Sequence, residues 1–88
     1  MFRLWAKIWT SNHLMKDVVI ENHSSNRRTQ KVFDCLKEAC DSLDLSHPIW
    51  LDSVVKDFKI YGKTKFTKDC FIEPIDFDYL EIHVIEED

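Results

Sequence analysis

The chain has 88 residues with sixteen acidic and twelve basic side chains, a formal charge of −4, three cysteines, two prolines and a single glycine. A length of this order supports one hydrophobic core but not a core plus a deep substrate cavity, and the mild acidity gives no net-charge drive towards polyanions. The odd cysteine count argues against a disulfide scaffold, and the lone glycine excludes a glycine-rich phosphate cradle, so one domain over residues 1–88, without linkers or repeats, is the expectation.

From Phe2 to Trp9 the residues alternate, with Phe2, Leu4, Ala6 and Ile8 on one side and Arg3, Trp5, Lys7 and Trp9 on the other. Period two is the signature of a strand with one buried face. Thr10 to His13 is a polar break of hairpin length, and Leu14 to Glu21, rich in branched residues, returns antiparallel. Asn22 to Asn26 then collects turn and cap residues, with Ser24, Ser25 or Asn26 placed to accept a bond from the first free amides of a helix.

The helix itself is written most clearly between Val32 and Leu43. Val32, Phe33, Leu36, Ala39, Cys40 and Leu43 recur at the offsets of one helical face, while Lys31, Asp34, Lys37, Glu38 and Asp41 occupy the other. Its charges oppose the helix dipole: Arg27, Arg28 and Lys31 stand in the first turns and Asp41 and Asp44 near the end. Cations beside free backbone amides make Arg27, Arg28 and Lys31 a candidate anion site, against the plainer reading of solvated or locally paired charges.

After Pro48, Ile49 to Leu51 reads as a short strand, and Asp52 as the cap of a short helical turn in which Val54, Val55 and Phe58 share a face and Gly62 is the stop. Lys63 to Ile72 lacks clean periodicity and reads as an irregular segment pinned by its aromatics. An acidic turn around Asp76 and Asp78 precedes a second alternating strand, Tyr79 to Ile85, with Leu80, Ile82 and Val84 opposite Tyr79, Glu81, His83 and Ile85.

These elements imply an α+β fold: a mixed four-strand sheet in ββαββ order, one main helix on one face, a short second helix, and the first and last strands as central neighbours. The order resembles the ubiquitin-like β-grasp, which implies a last strand parallel to the first; the terminal Gly-Gly of conjugated modifiers is absent. The stretches Phe2 to Trp9, Pro48 to Leu51 and Phe71 to Glu87 also resemble a family of small uncharacterised bacterial proteins, a likeness that carries no activity with it.

The sharpest functional feature is the sheet face away from the helix, which collects Arg3, Trp5, Lys7, Trp9, Tyr79 and His83. Trp, Tyr and Arg are the residues of interface hot spots, so a protein partner, a second copy included, is the expected occupant. Single-stranded nucleic acid is the alternative, with the rings stacking bases and Arg3, Lys7, Arg27, Arg28 and Lys31 meeting phosphates. A third reading has residues 63–75 folding over Trp5 and Trp9 as a second small core.

Metal, cofactor and enzyme readings are weaker. The cysteines form no CxxC, with Cys40 on the buried helical face and Cys35 at its margin, so they read as small core residues. His13, His23, His47 and His83 are scattered. Glu73, Asp76, Asp78 and Glu81 form a local carboxylate group that could hold a hard cation or serve acid/base chemistry, but an acidic turn before a strand explains them as well. The chain shows no leader and no apolar run near the roughly 20 residues of a membrane span, so a reducing cytoplasm is the expected setting.

Overall fold

A computed structural model describes residues 1–87; Asp88, the last residue of the acidic tail, lies outside the described residues. Strand β1 (Phe2–Thr10) and strand β2 (His13–Asn22) form a hairpin, followed by helix α1 (Arg28–Ser42), helix α2 (Asp52–Tyr61), strand β3 (Lys63–Thr67), a 3-10 turn (Lys68–Cys70) and strand β4 (Tyr79–Glu86). The four strands make one sheet in the order β2-β1-β4-β3, with every pair antiparallel.

The α+β architecture, the hairpin and the central pairing of first and last strands are as expected. The sheet is wholly antiparallel rather than mixed, so the parallel pairing implied by the β-grasp likeness is not what forms. The reason is a count of traverses: α2 is a full ten-residue helix rather than a single turn, and the extra pass between the two pairs of strands reverses the direction in which β4 enters.

The strand expected at Ile49 to Leu51 is also absent. That segment is extended, but its one ladder-like bond is Ile49 N–H to the Cys70 carbonyl, Pro48 has no N–H to give, and Leu51 is already the N-cap residue of α2. The place beside β4 is taken instead by β3, whose Thr64 and Phe66 point inward while Lys63, Lys65 and Thr67 point outward.

Each turn has a backbone reason. Ser11 and Asn12 both sit at positive φ, 51° and 65°, as the two-residue turn of a tight hairpin requires. Gly62 ends α2 in the left-handed region at φ 68°, where glycine carries no Cβ penalty. Asp44 occupies the same region at φ 59° and closes α1 in a Schellman pattern, with Leu45 N–H bonded to the Cys40 carbonyl and Asp44 N–H to that of Asp41.

At its other end α1 begins at Arg28, and its N-cap is Arg27, without a side-chain cap bond. Ser24 is not the cap because its hydroxyl is used one turn earlier: Ser24 donates from both N–H and hydroxyl to the Asn22 side-chain oxygen, and its hydroxyl accepts from Asn26 N–H.

The core lies between the helices and one face of the sheet. Phe2, Leu4, Ala6, Ile8, Ile20, Phe66, Leu80 and Ile82 face Val32, Cys35, Leu36, Ala39, Cys40 and Leu43 of α1 and its end, and Val54 and Phe58 of α2. Cys35 is fully buried rather than marginal. Phe33, by contrast, is turned outward from the core and half exposed, edge-on to Trp50; Trp50 in turn stands edge-on to Phe58 and Phe66, with centroids 5.6 and 5.0 Å away. Edge-to-face pairs of this kind add to what area burial supplies.

Candidate functional site

Because β1 alternates strictly, burying Phe2, Leu4, Ala6 and Ile8 against the helices directs Arg3, Trp5, Lys7 and Trp9 to the opposite side of the sheet. The strand register places their neighbours. Trp5 lies level with Val19 on β2, His83 on β4 and, one strand further, Lys63 on β3. Lys7 lies level with Asp17, Glu81 and Lys65, and Trp9 with Leu14, Tyr79 and Thr67. Arg3 is level with Glu21 and Glu86.

Residues 63–75 do not fold over this face. Lys63–Thr67 widens it as a fourth strand, and Cys70, Phe71 and Ile75 turn to the helix side and join the core. Trp5, Trp9, Tyr79 and His83 are therefore only half-buried.

Those neighbours are ordered by polar contacts. The Trp5 indole N–H donates to Asp17 at 2.9 Å, and the Trp9 indole N–H donates to Glu81 at 3.1 Å. Lys7 Nζ is 3.3 Å from the same Glu81 oxygen and lies over the Trp5 ring, 3.8 Å from its centroid. The Lys7 and Glu81 side chains are only 12% and 15% exposed, so this pair is far drier than an ordinary surface ion pair and is screened less by salt. Trp9 and Tyr79 stack at 6.4 Å, Lys65 Nζ lies 4.6 Å from the Tyr79 centroid, and Arg3 Nε sits 2.9 Å from Glu21 and 3.7 Å from Glu86.

His83 is held below its ordinary pKa, first by loss of solvent and then by the facing charges of Lys7 and Lys63, with Glu81 working the other way. It is thus a neutral ring at neutral pH. The face as a whole combines flat aromatic surface, hydrogen-bonded indoles and charges of both signs.

The candidate anion residues stand at the start of α1 with separate contacts: Arg27 is the N-cap residue, Arg28 pairs with Glu87 and lies 5.3 Å from the Phe58 ring, and Lys31 is buried with its Nζ 6.0 Å from the Phe2 ring. Two of the candidate carboxylates also take separate roles. Asp78 accepts the Ser11 N–H at 2.8 Å while its own N–H reaches the Trp9 carbonyl, so it fastens the hairpin turn; Glu81 belongs to the open face. Among the described residues no three His, Cys, Asp or Glu side chains are grouped as metal ligands.

Burial raises the Cys35 thiol to about 11, with the Glu38 carboxylate adding to it and a bond with the Asn22 side chain opposing, and raises Cys40 to about 12. Both are protonated, inert core residues.

Missed in the sequence were Asp17, which accepts from the Trp5 indole, Glu21 and Glu86 beside Arg3, and Lys63 and Lys65 of β3. The alternation Lys63-Thr64-Lys65-Phe66-Thr67 was the available signal, obscured because an inward threonine counts as polar. No helix of the described residues is long and apolar enough to cross a membrane. No family model, curated protein or solved structure matches the chain, so neither likeness named above gains support from them.

Proposed function

We propose that the chain is a protein-binding module that acts through the open sheet face, with Trp5, Trp9, Tyr79 and His83 as contact surface and Arg3 and Lys7 fixed among them. The observation that carries this reading is the pre-set geometry of the two indoles. Each is held by its N–H, Trp5 on Asp17 and Trp9 on Glu81, while the side chain stays only half-buried. Rings already fixed in the unbound protein lose little freedom on association, and that is a property of interface anchors.

Nucleic acid is the second reading, favoured by Lys65 beside the Tyr79 ring and by Lys63 level with His83. Against it stand the carboxylates Asp17, Glu21, Glu81 and Glu86 on the same face, which repel phosphate.

Affinity capture separates these readings when wild-type chain, a Trp5→Ala/Trp9→Ala chain and a helix-side Lys37→Ala chain are used in parallel. A protein retained by the first and third but lost with the second supports the proposal. Equal retention by all three removes it, and a retained species that is nuclease-sensitive and falls steeply with salt puts nucleic acid in its place.

A further inference from the structure

The charges of the open face are sorted by strand. β2 presents Asp17 and Glu21, β1 presents Arg3 and Lys7, β4 presents Glu81 and Glu86, and β3 presents Lys63 and Lys65. Across the sheet the columns therefore read minus, plus, minus, plus, and the four cations balance the four carboxylates on a chain whose formal charge is −4.

Such a pattern is its own complement under one rotation. We infer that the open face receives a second copy of this chain, stacked face to face about a two-fold axis that runs parallel to the strands between β1 and β4. The inference rests on the sheet-face reading above and names its partner.

Turning one copy about that axis lays β2 over β3 and β1 over β4. Every acidic column then meets a basic one. The other two-fold lying in the interface, perpendicular to the strands, lays each column on itself and opposes like charges. The charge pattern thus chooses between two geometries that shape alone would leave equal.

Rows stay level in the chosen arrangement. Trp9 faces Tyr79 of the second copy, and Trp5 faces its His83, kept neutral by its surroundings. Asp17 faces Lys65 in the row that also holds Lys7 and Glu81. This row is flanked by both aromatic rows, and packed sheets cross at about −30°, so contacts near the crossing are the least displaced by that angle.

Four strands at about 4.8 Å spacing and about six residues at 3.3 Å give a face of roughly 400 Å² per copy. The total, roughly 800 Å², lies below standard interfaces, so the dimer is weak and reversible.

The test is sedimentation equilibrium from micromolar to about millimolar concentration. Wild-type chain is expected to pass reversibly from monomer to dimer. Lys65→Glu and Asp17→Lys, each alone, should weaken the dimer at least tenfold, because each places two like-charge contacts across the axis. An equimolar mixture of the two variants should recover association near the wild-type level, since both contacts are then opposite in sign. Circular dichroism melts check that each variant is folded, and the milder pair Lys65→Gln and Asp17→Asn replaces any that is not, with weakening in each expected.

A wild-type chain that stays monomeric at millimolar concentration overturns the inference, as does a mixture that fails to recover or a dimer indifferent to charge reversal. A monomer whose capture of another protein still depends on Trp5 and Trp9 sinks the dimer alone and leaves the binding-module reading standing. A monomer with no face-dependent capture sinks both.

Discussion

Replacing Thr64 by valine should make the protein more stable, although it deletes a polar group. Thr64 is 5% exposed on the core face of β3, opposite Ile82, and its hydroxyl oxygen has no hydrogen-bond partner among the described residues. Burying a hydroxyl without a partner costs about 1–3 kcal/mol by mutational measures. Valine keeps the β-branch and nearly the volume, exchanging that cost for the burial of a methyl group, about 0.8 kcal/mol. The denatured chain already shelters part of its apolar surface, which trims the methyl contribution alone, so with the hydroxyl cost at its low end the net expectation is about 1.5 kcal/mol. For a domain of this size that is a rise in Tm of about 6–12 °C.

Urea unfolding followed by circular dichroism, with thermal melts beside it, reads the effect. Thr64→Ser, which keeps the hydroxyl and loses the methyl, should fall below wild type by about 1 kcal/mol. If Thr64→Val is less stable than wild type while Thr64→Ser is unchanged, the hydroxyl is satisfied after all and the reasoning fails.

Asp44→Gly should add up to about 1 kcal/mol, because it removes the left-handed penalty of a non-glycine residue and a carboxylate beside the negative end of α1; thermal melts at low salt read it, and a loss of stability counts against the strain. Cys35 and Cys40, with pKa values raised to about 11 and about 12, should resist a thiol-specific disulfide reagent at pH 8 and react only as fast as the protein opens; rapid labelling of the folded chain would show that these thiols are not core residues. His83 is neutral in the fold below the point at which the unfolded chain takes up its proton, near 6.5. Its contribution is therefore complete above that pH and lost as pH falls, so the stability decline from pH 7.5 to 5.5 should be shallower in His83→Gln than in wild type, and equal slopes would contradict the depressed pKa.

What could be read from the amino acids follows the strength of the pattern at each place. β1 and β4 were legible because four or three inward hydrophobes alternate with polar or amphipathic residues, and a one-residue slip would turn every one of them over. The same alternation revealed the outward set of Arg3, Trp5, Lys7, Trp9, Tyr79 and His83. β3 was not legible: its inward pair is Thr64 and Phe66, and a strand of five residues gives a period-two pattern little length in which to show. Phe33 matched the helical spacing yet faces Trp50 outside the main contact, since a stripe drawn at 3.6 residues per turn does not say where the neighbouring segment crosses it. The parallel or antiparallel sense of β4 depended on the full length of α2, a property of the whole connection rather than of any residue in the strand.

The pairing of β1 with β4 also sets when the molecule can come into being. The ladder at the middle of the sheet joins Leu4 to Val84 and Ile8 to Leu80, so its two sides are made far apart in synthesis. Until Tyr79–Glu86 has emerged, Phe2, Leu4 and Ile8 have only the β2 hairpin and α1 for shelter, and two-stranded ribbons are marginal in water. Assembly must then wait for a distant closure whose entropic cost falls due before its contacts form, which slows it and prolongs the exposure of an adhesive ribbon in the nascent chain.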